Sequence, residues 1–173
     1  MAAGFPESID DRLPDDLRPG ETVLVSACLL GEDTAWDGRD NTVPALVAAL
    51  HRARVEILSL CPEMLGGLPA RRPPAEPERG DGRLVAAGRA RILTRGDGRD
   101  VTDAFLAGAR EAAARAVAAG VRYAFLQERS PSCGVAWTHA GGATVPGPGV
   151  TAALLAEAGI TVVGIGRGPR PGG

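Results

Sequence analysis

The chain has 173 residues, 45% of them hydrophobic and 23% charged, with a formal net charge of -2. That is enough to bury most of one sizeable core, and it leaves no global basic field, which argues against nucleic acid or an anionic membrane as the main partner. Every basic residue is Arg and none is Lys, which removes Schiff-base chemistry and a Lys general base, and a 3% aromatic content offers few platforms for stacking along single-stranded nucleic acid.

Residues 1–20 are rich in Pro, Asp and Arg and are expected to form a flexible lead-in; no window approaches the length of a membrane span. Residues 21–27 form a short β-branched run, and residues 42–53 show helical spacing with Pro44 in the first turn. Residues 55–60 read as a second buried-type strand. Residues 62–82 hold so many Pro, Gly and charged residues that a long irregular loop is expected. The alanine-rich segment 103–119 predicts a helix started by Thr102 or Asp103 and stopped by Gly120. Residues 121–126 are a third strand, 149–158 a further helix ended by Gly159, and 160–165 a fourth strand. The Gly-rich stretch 141–149 follows no strand and reads as a loop before that helix, so no nucleotide cofactor is expected. Strands alternating with helices indicate a three-layer α/β fold, Rossmann-like or flavodoxin-like, with a mostly parallel sheet. The expected organisation is a single domain over residues 21–166, with a disordered tail at 167–173.

Three cysteines, an odd number in a chain with no apparent export signal, argue for a cytoplasmic protein with reduced thiols, metal ligands or a nucleophile rather than disulfides. Cys28 follows the first strand, Cys61 the second, and Cys133 lies a few residues past the third. In a parallel sheet these carboxyl ends share one edge, the edge where open α/β folds place ligands, so the thiols should converge. Small or turn-forming neighbours (Ser26-Ala27-Cys28, Cys61-Pro62-Glu63, Ser132-Cys133-Gly134) let the backbone approach a bulky group. Each cysteine taken alone is equally readable as a small core hydrophobe. Three thiolates suit zinc with a fourth ligand, for which His139 is the nearby candidate, or an iron–sulfur cluster; no CxxC pair is present. His139 otherwise reads as a solvated loop histidine and His51 as a helix-surface one.

Five ordered motifs then make the chain recognisable: Val25-Ser-Ala-Cys-Leu-Leu-Gly31, Cys61-Pro-Glu-Met-Leu-Gly-Gly-Leu-Pro69, Asp100-Val-Thr102, Glu128-Arg-Ser-Pro-Ser-Cys-Gly134 and Gly147-Pro-Gly-Val-Thr-Ala-Ala-Leu-Leu155. Together they resemble the bacterial thiouracil desulfidase family over about residues 22 to 163. The resemblance implies a [4Fe-4S] cluster on Cys28, Cys61 and Cys133, with one iron open to the sulfur of a thiolated base. It implies non-redox conversion of a 2-thiouracil-like pyrimidine to the oxo base with release of sulfide. Acid–base roles carry over to Glu63 and Ser130.

Beside the resemblance, Ser26, Trp36 and Ser132 are candidate substrate contacts; Ser26 is equally a candidate for contact with the cluster, and Trp36 either stacks on a pyrimidine face or simply covers the sheet edge. The bland reading of Ser130 and Ser132 is turn hydrogen bonding around Pro131, and that of Glu63 is a loop carboxylate capping a turn. Arg71-Arg-Pro-Pro-Ala-Glu76 reads either as a solvated basic turn or as a segment closing over substrate. The segment 32–38 departs from the family's usual Arg-Tyr-Asp-Gly, and Gln127 stands where Lys is common, which bears on substrate identity more than on cluster binding. The expected partner is a small thiolated base, with no membrane and no nucleic acid. The alternatives are a non-catalytic iron–sulfur or sulfur carrier and a zinc-binding interaction domain.

Overall fold

The computed structural model describes residues 8–38 and 41–166; the expected tail at 167–173 lies outside them. In chain order the elements are β1 (Thr22–Ser26), α1 (Pro44–Arg52), β2 (Glu56–Leu60), α2 (Pro62–Leu65), β3 (Ala75–Pro77), α3 (Gly82–Ala86), β4 (Ile92–Thr94), α4 (Thr102–Ala118), β5 (Tyr123–Gln127), β6 (Trp137–Ala140), β7 (Ala143–Pro146), α5 (Val150–Glu157) and β8 (Thr161–Ile165), with short 3-10 turns at Asp10–Arg12 and Ala27–Leu30.

The central sheet has four strands in the order β2-β1-β5-β8, all parallel. The nearly continuous apolar run of β1 suits a strand covered on both faces, and Val23 through Ser26 are buried. Period-two alternation sends Val23, Val25 and Phe125 to one face, where they meet Leu46 and Leu50 of α1. Leu24, Ala124 and Leu126 go to the other, against Ala112 and Ala116 of α4 and Leu155 of α5. The result is the expected three-layer arrangement. Its strand order reverses at β1, so the crevice beyond the carboxyl ends of β1 and β5 is the topological switch point, the usual ligand position in such sheets.

Several small elements lie where a loop was read. Within residues 62–82 the chain forms α2 and β3, and β3 pairs antiparallel with β4. The Gly-rich stretch contains a hairpin: Gly141 and Gly142 have φ of 58° and 83°, the left-handed backbone a tight turn requires, and they join β6 to β7. Residues 8–20, read as a loose lead-in, set Ile9, Leu13 and Leu17 against the β1/α1 face of the core. Arg122 there bridges Asp16 and Glu21, and Arg12 Nη1 donates to the Gly164 carbonyl at 3.0 Å. Among the described residues, no helix is long and apolar enough to cross a membrane.

One close approach fixes the geometry at the sheet edge. A Cβ on Gly108, inside α4, would fall 1.8 Å from the Pro62 carbonyl oxygen, and one on Gly66 would fall 1.9 Å from the Ala104 carbonyl oxygen. Backbone therefore lies on backbone where α2 crosses α4, and this contact seats the Cys61-Pro62-Glu63 turn.

Candidate functional site

Three strand ends deliver the thiols. Cys28 sits in the turn after β1, Cys61 is the residue that starts α2 directly after β2, and Cys133 lies in the loop after β5. All three line one cavity of about 200 Å³, together with Glu63, Arg72 and Ser130. The convergence expected from their placement after strands is present. None of the three is in a disulfide.

Each thiol is held by local chemistry. The Cys133 loop is docked on the start of α5, where Val150 N–H donates to the Pro131 carbonyl at 3.0 Å and Thr151 N–H to the Ser132 carbonyl at 2.9 Å. Ser130 Oγ accepts from Ser132 N–H at 3.2 Å and Cys133 N–H at 3.0 Å, so it shapes the turn that presents the thiol. Ser132 Oγ is spoken for by Thr151 Oγ1 at 2.8 Å in a buried contact. Ser26 Oγ accepts from Gln127 N–H at 3.1 Å across β1 and β5, and its hydroxyl bonds to the Cys133 thiol. The Cys28 thiol bonds to Asn41.

Glu128 is the hidden scaffold of this loop. Its carboxylate is almost fully buried and accepts from the N–H groups of Val135, Ala136 and Trp137 at 2.9, 2.9 and 3.1 Å. Gly164 leaves the space it occupies, since a Cβ there would lie 2.1 Å from Glu128 Oε1.

Burial governs the titration of two of the thiols. Burial pushes the Cys28 thiol up to about 11, with Asn41 opposing. Burial raises Cys133 further, with the hydroxyl of Ser26 opposing. Without a metal these thiols would be protonated and poorly nucleophilic at neutral pH, whereas metal coordination deprotonates a thiol outright. Among the described residues no group of three His, Cys, Asp or Glu side chains is arranged to hold a single metal ion. Three thiols lining one cavity offer a soft sulfur donor set that suits an iron–sulfur group, or zinc with a fourth ligand.

Beside the thiols stands a buried ion pair. Glu63 Oε2 is 2.5 Å from Arg72 Nε. Arg72 also donates to the carbonyls of Pro69 and Ala70, each at 2.9 Å, and of Thr34 at 3.1 Å. Burial holds Glu63 above the ordinary carboxylate range, and Arg72 opposes that rise. The arrangement can hold a carboxylate in a poorly solvated place and let it exchange a proton. Arg72 was legible only as half of a dibasic turn; the structure makes it the clasp of the site.

Two further residues reach the cavity. Trp36 lines it with its ring about half exposed. His139, read as a solvated loop residue, stands instead on β6, partly buried at the cavity wall with Nδ1 3.2 Å from Thr144 Oγ1.

Comparison with known proteins agrees with this geometry. A family model described as 2-thiouracil desulfurase matches residues 23–165. The uncharacterized protein YbbK of Bacillus subtilis (strain 168) is 37% identical over 144 residues, covering 82% of this chain and 93% of YbbK. A solved structure of the [4Fe-4S]-dependent thiouracil desulfidase TudS superposes with a TM-score of 0.70 at 39% identity, covering 83% of this chain and 90% of TudS.

Proposed function

Because the chain belongs to the 2-thiouracil desulfurase family, we propose that it is an iron–sulfur-dependent desulfidase that converts a thiolated pyrimidine such as 2-thiouracil to the oxo base. The convergence of Cys28, Cys61, Cys133 and Glu63 on one cavity carries this reading. The net change replaces C=S by C=O: water supplies the oxygen and two protons, and the sulfur departs as hydrogen sulfide. No electrons are gained or lost.

Cys28, Cys61 and Cys133 would hold a [4Fe-4S] cluster, and one iron without a protein ligand supplies a soft Lewis-acid position for the thiocarbonyl sulfur. Glu63 acts on the water. Its burial makes it a stronger base than an exposed carboxylate, and Arg72 keeps the charged form accessible. Ser130 keeps its own hydroxyl proton while its oxygen accepts two backbone N–H groups, so that proton is available for relay at the cavity wall. Ser26 bonds to the Cys133 sulfur and orients it. Trp36 offers a face on which a planar base stacks, and its backbone carbonyl is fixed by Arg72 N–H at 3.1 Å. Ser132 contributes to the wall through its link to Thr151.

The test is anaerobic reconstitution followed by incubation with 2-thiouracil, with uracil and sulfide quantified together. Equimolar uracil and sulfide support the reading. A protein that binds the cluster and releases neither product from any of a panel of thiolated pyrimidines is a carrier instead.

A further inference from the structure

The three thiols have different partners, and the difference matters once a thiol loses its proton. The Cys28 thiol bonds to the side-chain amide of Asn41, and the Cys133 thiol to the hydroxyl of Ser26. Cys61 Sγ lies 3.8 Å from the Thr34 carbonyl oxygen, which already accepts from Arg72 Nη2 at 3.1 Å. An amide and a hydroxyl each carry both a donor and an acceptor, so they pair with a thiol and equally with a thiolate. A carbonyl only accepts, and its bond to a thiol ends when the proton leaves. A metal-bound cysteine is a thiolate. On ligation, Asn41 and Ser26 keep their sulfurs by donating, whereas the Thr34 carbonyl loses its own.

Asn41 is held in place beside its thiol. It lines the same cavity as Cys28. Val43 N–H donates to the Leu29 carbonyl at 3.1 Å, which ties this segment to the turn carrying Cys28. Gly31, with φ of 88°, lets the two segments close, since a Cβ there would fall 3.0 Å from Thr42 Oγ1. Helix α1 begins after Val43 with no capping side chain, so Asn41 does not serve the helix start, a common use of Asn near such a place. We propose that Asn41 is a positioning residue that donates its amide N–H to the Cys28 sulfur once that sulfur binds iron, and so sets the retention and the potential of the cluster. This rests on the reading that the three cysteines hold an iron–sulfur cluster, and extends it to a residue outside the cysteine motifs. A hydrogen bond to a ligand sulfur stabilises the more negative, reduced cluster and raises its potential.

Two variants separate the bond from the shape. Asn41→Leu removes donor and acceptor at similar size. Asn41→Asp keeps the shape and, at about pH 8 where its carboxyl is ionised, leaves only acceptors beside the sulfur. Full-length wild type and both variants are reconstituted anaerobically. The cluster's midpoint potential is measured by dye-mediated titration, iron loss is followed against a ferrous-iron chelator, and thermal midpoints of the metal-free chains are recorded. The expected result is a potential lowered in Asn41→Leu and lowered further in Asn41→Asp. Iron should be lost at about 10- to 100-fold lower chelator concentration, the usual effect of removing an outer partner of a metal ligand. Metal-free melting temperatures should stay near that of the wild type. If Asn41→Leu alone melts early, Asn41→Asp decides by the same two readouts. A wild-type potential and iron retention in Asn41→Asp overturn the inference, as do metal-free melting temperatures that fall in both variants, which make Asn41 a residue of the fold. A wild type that takes up no iron refutes the cluster reading itself, and the inference with it.

Discussion

Arg72 Nε lies 2.5 Å from Glu63 Oε2, and both side chains are largely withdrawn from water. Removing one partner of a buried pair costs about 3 to 5 kcal/mol, because the other charge is stranded. The two partners are unequal here. Glu63→Gln leaves Arg72 bonded to three carbonyls, whereas Arg72→Leu strands a carboxylate already raised by burial. Arg72→Leu should be the more destabilising, and the double variant should lose less than the sum of the two. Denaturant unfolding of the four proteins checks this cycle; strict additivity contradicts it.

Glu63→Gln also separates acting from folding. With the cluster absorption intact, its turnover should fall by ~10² to 10⁴, the usual contribution of a general acid–base group. Ser130→Ala should lose less turnover and about 1 kcal/mol of stability, since its oxygen accepts two backbone N–H groups in the Cys133 turn. Iron content and sulfide release on each sample tell the two apart. Near-normal sulfide release by Glu63→Gln with a full cluster returns Glu63 to a turn-capping role.

Gly108→Ala sets helix propensity against packing. Propensity alone favours Ala in a helix interior by ~1 kcal/mol. The added methyl, however, would lie 1.8 Å from the Pro62 carbonyl oxygen, beside Cys61. Overpacking of this kind costs about 1 to 3 kcal/mol, so the variant should melt lower and retain less iron. A higher melting temperature with full iron would show that α2 moves freely off α4.

His139 gives a pH signature. Burial holds it below its ordinary value, with Glu76 opposing and Arg129 and Arg95 adding to the fall. The unfolded chain therefore takes up this proton first as pH drops below about 6.5, so stability present above that pH is lost as pH falls toward the folded value. Thermal midpoints between about pH 7.5 and 5 should fall less steeply for His139→Gln than for the wild type. Parallel curves would show that His139 does not contribute.

The central strands were legible because β1, β2, β5 and β8 are short apolar runs between turn residues, and their parallel pairing follows from the intervening helices. The thiol convergence followed from the same placement. The small hairpins were not read, although Gly141-Gly142 between two short alternating runs carried a turn signal. Ile9, Leu13 and Leu17 recur at a spacing of four, yet the Pro- and Asp-rich context masked that pattern. Arg72, Glu128 and Asn41 carry no periodic signal at all. Their roles depend on which carbonyls, N–H groups and thiols the fold brings to them, and no local pattern encodes that.

The most direct test of the central claim measures iron and sulfide release on one anaerobic preparation of the wild type and of Cys28→Ser, Cys61→Ser and Cys133→Ser. The account predicts about four iron atoms per wild-type chain with sulfide released from 2-thiouracil, and loss of most iron and activity together in each variant. A wild type that holds one tightly bound zinc and no iron, or a Cys→Ser variant that keeps both full iron and full sulfide release, would contradict it.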